Sequence, residues 1–189
     1  MILVRHGQSE FNVIYGETRR DPGIVDPVLT ELGHQQAAET AKALADSGAH
    51  TLIASPYRRA IQTALIVGET LGLDVTIDPL IGERAAFSCD IGTPGSTLAT
   101  TWPTLDFAHI GENWWPDMEE SEESLDLRGQ TFRNRMRDHD RWEGVVVVTH
   151  WGFIRTLTGH RVGNCTAVRL DPHAAHPGGG TVVSVPDVC

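Results

Sequence analysis

Two histidines, each standing where a short apolar run stops, are the residues of this chain best placed to do chemistry. Val4-Arg5-His6-Gly7 closes the run Ile2-Leu3-Val4, and Thr149-His150-Trp151-Gly152 closes Val145-Val146-Val147-Val148. An imidazole between an arginine and a glycine suits a nucleophile with its phosphate ligand already at hand. The guanidinium meets the anion, and the missing Cβ lets backbone N–H groups approach it. Ligands in open α/β sheets bind beyond the carboxyl ends of strands, so the two histidines are candidates for one site. A third basic group comes from the stretch Leu52 to Ala64, which reads as strand, turn and helix. Ser55 is the expected N-cap there and Pro56 the first helical residue. Arg59 then sits in the first turns, where the helix dipole disfavours a cation unless an anion lies between them. Of the adjacent arginines Arg58 and Arg59, one is expected to be a solvated surface residue.

The elements that must hold these residues alternate. A first strand is followed by a polar loop, Tyr15 to Val28, too broken by Gly, Asp and Pro for a helix. Thr30 caps a helix from about Glu31 to Ala45. A strand over Thr51 to Ala54, a helix to about Leu71 and a strand over Val75 to Ile77 lead to Glu83. Residues 84–141 interrupt the pattern with Trp102, Trp114 and Trp115 and with several prolines, ending in a helix from about Ser124 to Asp138. The Val145 strand precedes a helix over Phe153 to Leu157. Two closing strands, Thr166 to Leu170 and Thr181 to Val185, flank a His/Gly-rich turn. Strands alternating with helices predict an α/β fold, a three-layer α/β/α sandwich around a mostly parallel sheet. The 189 residues fit one domain, 1–189, with a substrate-facing insertion at about 84–141.

Composition narrows the function. A net charge of −10 argues against nucleic acid, whose recognition needs a basic face. It also means that cations for an anionic ligand must be concentrated locally, while the overall field slows such a ligand's approach. No apolar stretch is long enough for a membrane span, and no signal-like start is evident, since the first strand runs straight into Arg5. Cys89, Cys165 and Cys189 are odd in number and lack zinc spacing, so a reducing cytoplasm is expected. His173 and His176 have no ligand partners at metal spacing and read as a solvated loop. The run Glu119-Glu120-Ser121-Glu122-Glu123-Ser124 reads as a helix N-terminus, where acids offset the dipole.

Taken in order, several segments resemble the histidine phosphatase superfamily, in its phosphoglycerate-mutase-like branch (branch 1). They are Arg5 to Asn12, Leu29 to Gly33 with Gln35-Gln36-Ala37, and Ser55-Pro56 with Arg59-Ala60 and Gln62-Thr63-Ala64. Glu83 and the run Val148 to Arg155 complete the set. The resemblance implies the phosphoglycerate-mutase-like fold and a two-step phosphoryl transfer. His6 would carry a phosphohistidine; Arg5, Arg59 and His150 would clamp the phosphoryl oxygens, with Asn12 a further contact. Glu83 would protonate the leaving oxygen and then take a proton from water, with Glu17 or Asp21 next in line for that role. Phosphoryl transfer asks for positioning and charge neutralisation, which bidentate arginines supply. No metal and no other cofactor are therefore expected. The implied activity is a metal-independent phosphomonoesterase acting on a small phosphorylated substrate. One alternative is a phosphoglycerate-type mutase, which needs extra basic groups such as Arg19, Arg20 or Arg84 for a carboxylate. The other is a non-catalytic phospho-ligand binding module. Trp151 departs from the small residue many members have after the second histidine; it either narrows the pocket, contacting substrate, or packs away.

Overall fold

The computed structural model describes residues 1–188, so Cys189 lies outside the described residues. Six strands form one mixed sheet: β1 (Ile2–Arg5), β2 (Thr51–Ala54), β3 (Val75–Ile77), β4 (Val145–Thr149), β5 (Ala167–Arg169) and β6 (Thr181–Ser184). Their spatial order is β3-β2-β4-β1-β5-β6. The first four run parallel to one another, while β5 and β6 are antiparallel additions at the β1 side. The helices are α1 (Glu10–Thr18), α2 (Glu31–Ala43), α3 (Arg58–Leu71), α4 (Gly95–Thr101), α5 (Glu122–Arg137) and α6 (Trp151–Thr158).

Side-chain alternation along the strands builds two cores. Ile2, Val4, Leu52, Ala54, Val146 and Val148 face α2 and α3 through Ala41, Leu44, Ala60, Ile61, Ala64 and Val67. Met1, Leu3, Ile53, Val145 and Val147 face α5 and α6 through Phe132, Met136, Phe153, Ile154 and Leu157. All five residues of β4 are buried, which explains its unbroken apolar run: a central parallel strand is covered on both faces. Each fully buried aliphatic side chain contributes roughly 1.5–3 kcal/mol to this sandwich. The three-layer architecture anticipated from the sequence is the one that forms.

Three local expectations are corrected. The Tyr15–Val28 segment is not all loop, because α1 extends to Thr18. Asn12 reaches back from the first turn to the Ser9 N–H at 3.0 Å, and Arg19 ends the helix in a left-handed conformation, φ 56°. This local capping outweighs the low propensity of Gly16. The cap of α3 is Tyr57, not Ser55, and Pro56 precedes the helix. Ser55 continues from β2 instead, donating its N–H to Val148 O, and its hydroxyl is used elsewhere. Helix α5 begins two residues early, because Ser121 caps it by accepting from the Ser124 N–H.

The loop after β1 lies directly on the start of α2. A Cβ on Gly33 would overlap the Gln8 carbonyl oxygen, and one on Gly7 would overlap the Gly33 carbonyl oxygen. Backbone-to-backbone packing of this kind has no flexible side chain to yield. Gly33→Ala is therefore expected to destabilise the protein by about 1–3 kcal/mol, read as a lowered urea midpoint. An unchanged midpoint would mean that the loop bearing His6 is free to shift away from α2.

Candidate active site

The register of the parallel strands gathers the site. Arg5 pairs with Thr149 and Ala54 with Val148, so His6, His150 and Ser55 all emerge at the same carboxyl edge of the sheet. The His6 N–H donates to Thr149 O at 3.0 Å, and the two imidazole centroids lie 5.2 Å apart. Glu83 reaches this edge through the short 3-10 turn Pro79–Ile81 that follows β3. A cavity of about 500 Å³ opens here, lined among others by Arg5, His6, Asn12, Arg59, Glu83 and Trp151. His150 is fully buried and stands behind His6 instead of on the cavity wall.

Hydrogen bonding assigns the His6 tautomer. His6 Nδ1 lies 2.7 Å from the Gly7 carbonyl oxygen, which can only accept, so Nδ1 carries the proton and Nε2 keeps its lone pair. Desolvation by burial, followed by the charges of Arg59 and Arg5, holds the His6 pKa well below the ordinary value of 6.5. His6 is thus neutral and nucleophilic at Nε2 across the physiological range. His150 Nε2 meets Ser55 Oγ at 2.8 Å, while its buried Nδ1 has no partner. The Ser55 hydroxyl both donates and accepts, so this contact is compatible with a proton on either nitrogen of His150. Burial and the charges of Arg59 and His6 keep this ring neutral as well.

Each arginine is tethered and leaves donors over. Arg5 Nη1 donates to Val162 O at 2.8 Å, and its buried Nε has no partner. Burial draws its pKa down to about 10, so it stays charged. Arg59 Nη1 donates to Cys89 O at 2.7 Å, and Nη2 pairs with Asp90 Oδ1 at 3.2 Å. Its guanidinium lies 4.5 Å from the centre of the Tyr57 ring. Tyr57 in turn donates to Asp90 O at 2.6 Å and meets His150 edge-on at 5.0 Å. Arg58 binds the Asp26 backbone oxygen, so Arg59 is the member of the pair that enters the cavity.

Glu83 is held by backbone donors. The Gly152 N–H donates to Oε1 at 2.9 Å, and the Arg84 N–H donates to the same oxygen at 2.9 Å. A Cβ at position 152 would overlap Oε1, so Gly152 is what lets α6 start against this carboxyl. Burial, reinforced by the charge of Asp90, raises the Glu83 pKa to about 7; the Arg84 N–H, Arg59 and Arg5 oppose the shift. Behind it, Arg128 donates to the backbone oxygens of Leu80, Gly82 and Glu83 and forks onto Glu120 with two 2.8 Å bonds. Within the acidic run, then, Glu122 and Glu123 serve the first turn of α5 as expected, whereas Glu120 is a buried counterion.

The remaining candidates divide. Asn12 Oδ1 accepts from Ser9 and from Asn164 Nδ2, leaving its own NH2 free of protein partners beside the cavity. Trp151, Arg19 and Arg84 line the cavity, and Arg20 does not. Of the understudies for Glu83, Glu17 is absent from the cavity wall, and Asp21 is a latch that accepts from the Ser88 N–H at 2.8 Å and from its hydroxyl. Those bonds lower the Asp21 pKa, the wrong direction for a proton donor near neutrality. His176 pairs with Asp126 at 2.6 Å instead of lying free. Among the described residues, no cluster of three or more His, Cys, Asp or Glu side chains could hold a metal ion. The sequence reading missed Asp90, Ser55 as a partner of His150, Asn164, which ties His6 O at 3.1 Å, and Arg155 on the wall. Phe11, Tyr15 and Phe87, which also line the cavity, were missed too. Phe11, Ser55 and Arg155 lie inside the motifs quoted above, whereas Tyr15, Phe87, Asp90 and Asn164 have no local signal.

Two strand-end histidines, two arginines and a carboxyl thus meet at or just behind the wall of one cavity on an α/β sandwich. The model of the histidine phosphatase superfamily (branch 1) matches residues 1–183, and the chain belongs to that family. It is 29% identical over 175 residues to a glucosyl-3-phosphoglycerate phosphatase of Mycolicibacterium vanbaalenii, covering 86% of this chain and 74% of that one. The native structure of a mycobacterial glucosyl-3-phosphoglycerate phosphatase superposes with a TM-score of 0.63 at 25% identity, covering 89% and 87% of the two chains. A phosphoserine phosphatase of Entamoeba histolytica, solved with 3-phosphoglyceric acid, shares the fold with a TM-score of 0.61 at 19% identity over 98% and 95%.

The raised Glu83 pKa has a stability consequence. From pH 4.5 to about 7 the folded chain holds a proton that the unfolded chain has lost, so this group's contribution to stability falls as pH rises through that window. Glu83→Gln keeps an acceptor for Gly152 without the buried charge. It is expected to match wild type at pH 4.5 and to exceed it by on the order of 2 kcal/mol at pH 8, measured by urea denaturation. A variant that loses stability at pH 8 would contradict the assignment.

Proposed function

We propose that this protein is a phosphomonoesterase that acts on a small phosphorylated substrate through a phosphohistidine at His6. The observation that carries the reading is the pairing of a neutral His6 with an unprotonated Nε2 and a half-buried Glu83 whose pKa is raised to about 7. Mere binding of a phosphate needs neither. In the first half-reaction Nε2 attacks phosphorus and the phosphorus–oxygen ester bond breaks, the electron pair leaving with the alcohol oxygen. Arg5, Arg59 and the Asn12 amide hold the equatorial oxygens, with His150 packed behind His6, while Glu83 gives its proton to the leaving oxygen. In the second, the Glu83 carboxylate takes a proton from water as the water oxygen bonds to phosphorus. The nitrogen–phosphorus bond then breaks, releasing phosphate and restoring neutral His6. Arg5 and Arg59 supply the positive charge this chemistry requires. The names of the mycobacterial relatives support hydrolysis of a phosphorylated small molecule. Of the basic groups a mutase would use for a carboxylate, Arg20 lies away from the cavity and Arg84 shares Glu122 with Arg155, which leaves Arg19 on the wall.

His6→Ala is expected to remain folded and to lose at least a thousandfold in turnover, assayed in EDTA, where the wild type stays active. Acid-labile, base-stable phosphate trapped on the wild type and absent from the variant gives the direct check. A variant keeping a tenth of the activity would exclude the covalent route.

The role of Glu83 predicts a leaving-group dependence. The kcat/KM for an alkyl phosphate should fall above pH 7 as Glu83 loses its proton. Glu83→Gln should cost this substrate roughly 10²–10⁴-fold and nitrophenyl phosphate far less, because nitrophenolate departs without a proton. Equal losses in the phosphorylation step, followed by rapid quench, would assign the proton to another group.

A further inference from the structure

The phosphate-binding groups occupy one end of a cavity of about 500 Å³, far more room than a phosphoryl group fills, so the rest of the space belongs to the alcohol. Its wall there is aromatic. Phe11 and Tyr15 of α1 stack at 5.3 Å with planes 15° apart, and Phe87 meets both, at 5.7 Å and 5.1 Å. Phe87 is 37% exposed, an unusual fraction for a phenyl group that faces no partner beyond these rings. The position of this ring is enforced. The Phe87 N–H donates to Asp90 Oδ2 at 3.0 Å, while Asp90 Oδ1 holds Arg59, so one buried carboxylate sets both the phosphate clamp and the ring. The neighbouring Ser88 is latched to Asp21 beyond α1, tying together the two segments that carry the rings. Around the same mouth Arg155 lies 5.4 Å from the Trp151 ring and shares Glu122 with Arg84, and Arg19 lies 5.9 Å from Tyr15.

Such an aromatic surface favours a moiety that offers a flat apolar face. We propose that Tyr15 and Phe87 determine specificity by holding a ring, a sugar or a planar heterocycle, on the alcohol half of the phosphomonoester. This rests on the phosphatase reading and deepens it. Ring stacking adds to the burial of the ring's apolar area, and together they should give a matched ring about a tenfold gain in kcat/KM.

The test compares esters of primary alcohols, which share one leaving-group chemistry: ethyl phosphate, benzyl phosphate and glucose 6-phosphate. Wild type should prefer at least one ring substrate over ethyl phosphate by tenfold or more, and which one wins distinguishes planar ring from sugar. Phe87→Ala and Tyr15→Ala should bring that ratio toward one, chiefly through KM, with Tyr15→Phe retaining it. In parallel, the Kd values of benzylphosphonate and methylphosphonate are measured by calorimetry, which needs no turnover. Phosphonate discrimination in a protein that hydrolyses nothing would overturn the phosphatase reading and uphold the ring site. Hydrolysis of all three esters at equal rates, with equal phosphonate affinities, would overturn the ring site and leave the phosphatase reading standing. A ratio unaffected by Phe87→Ala and Tyr15→Ala would also overturn it.

Discussion

The parallel pairing of β1 with β4 is the constraint on which the site depends. Its register sets Arg5 opposite Thr149, so the next residue of each strand, His6 and His150, must emerge side by side. A slip of one residue would turn every side chain of β1 to the other core. The two packed layers forbid it, since Ile2 and Val4 belong to one core and Leu3 to the other. The energy that fixes the register is the burial of apolar strands; the geometry of the chemical groups follows from it.

Burial then does the chemical tuning. The same desolvation that keeps His6 and His150 neutral keeps Glu83 protonated to about pH 7. These effects act on opposite charge types and leave all three groups uncharged beside two arginines. That state suits an incoming phosphate: the remaining formal charges around the clamp are Arg5, Arg59 and the Asp90 carboxylate paired with Arg59. The cost is a carboxyl whose ionisation disfavours the fold above neutrality.

Tethering is the other theme. Nearly every group on the wall is held from behind by a residue far away in sequence. Asp90 holds Arg59, Asn164 holds the His6 backbone, Arg128 holds the Glu83 backbone, and Ser55 meets the His150 ring. Such a supporting shell preorganises donors so that little reorganisation remains when charge develops on phosphorus. The segment 84–141 contributes much of it, supplying Asp90, Glu120 and Arg128 as well as the Phe87 ring.

The residues that carry chemistry were legible in the sequence because their motifs are local: an apolar strand that ends in Arg-His-Gly, a second that ends in a histidine, and an arginine one turn into a helix. The sandwich was legible too, since period-2 and period-3.6 patterns are properties of short segments, and strand extents matched to within a residue or two. Less accessible were the features decided by competition between neighbours. Ser55 looks like a helix cap until His150 is seen 2.8 Å away, and Gly16 looks like a helix breaker until Asn12 and Ser9 close the first turn of α1. The run of acids around Glu120 reads as uniform, yet one member is buried against Arg128 and the others face solvent. The sequence by itself therefore determined which groups are present and at which strand ends they stand. Only the tertiary structure decided which nitrogen of His6 is free, which of the candidate carboxyls holds a proton near neutrality, and which rings line the cavity. Those properties depend on desolvation and on hydrogen-bond partners tens of residues apart, and neither leaves a local pattern to read.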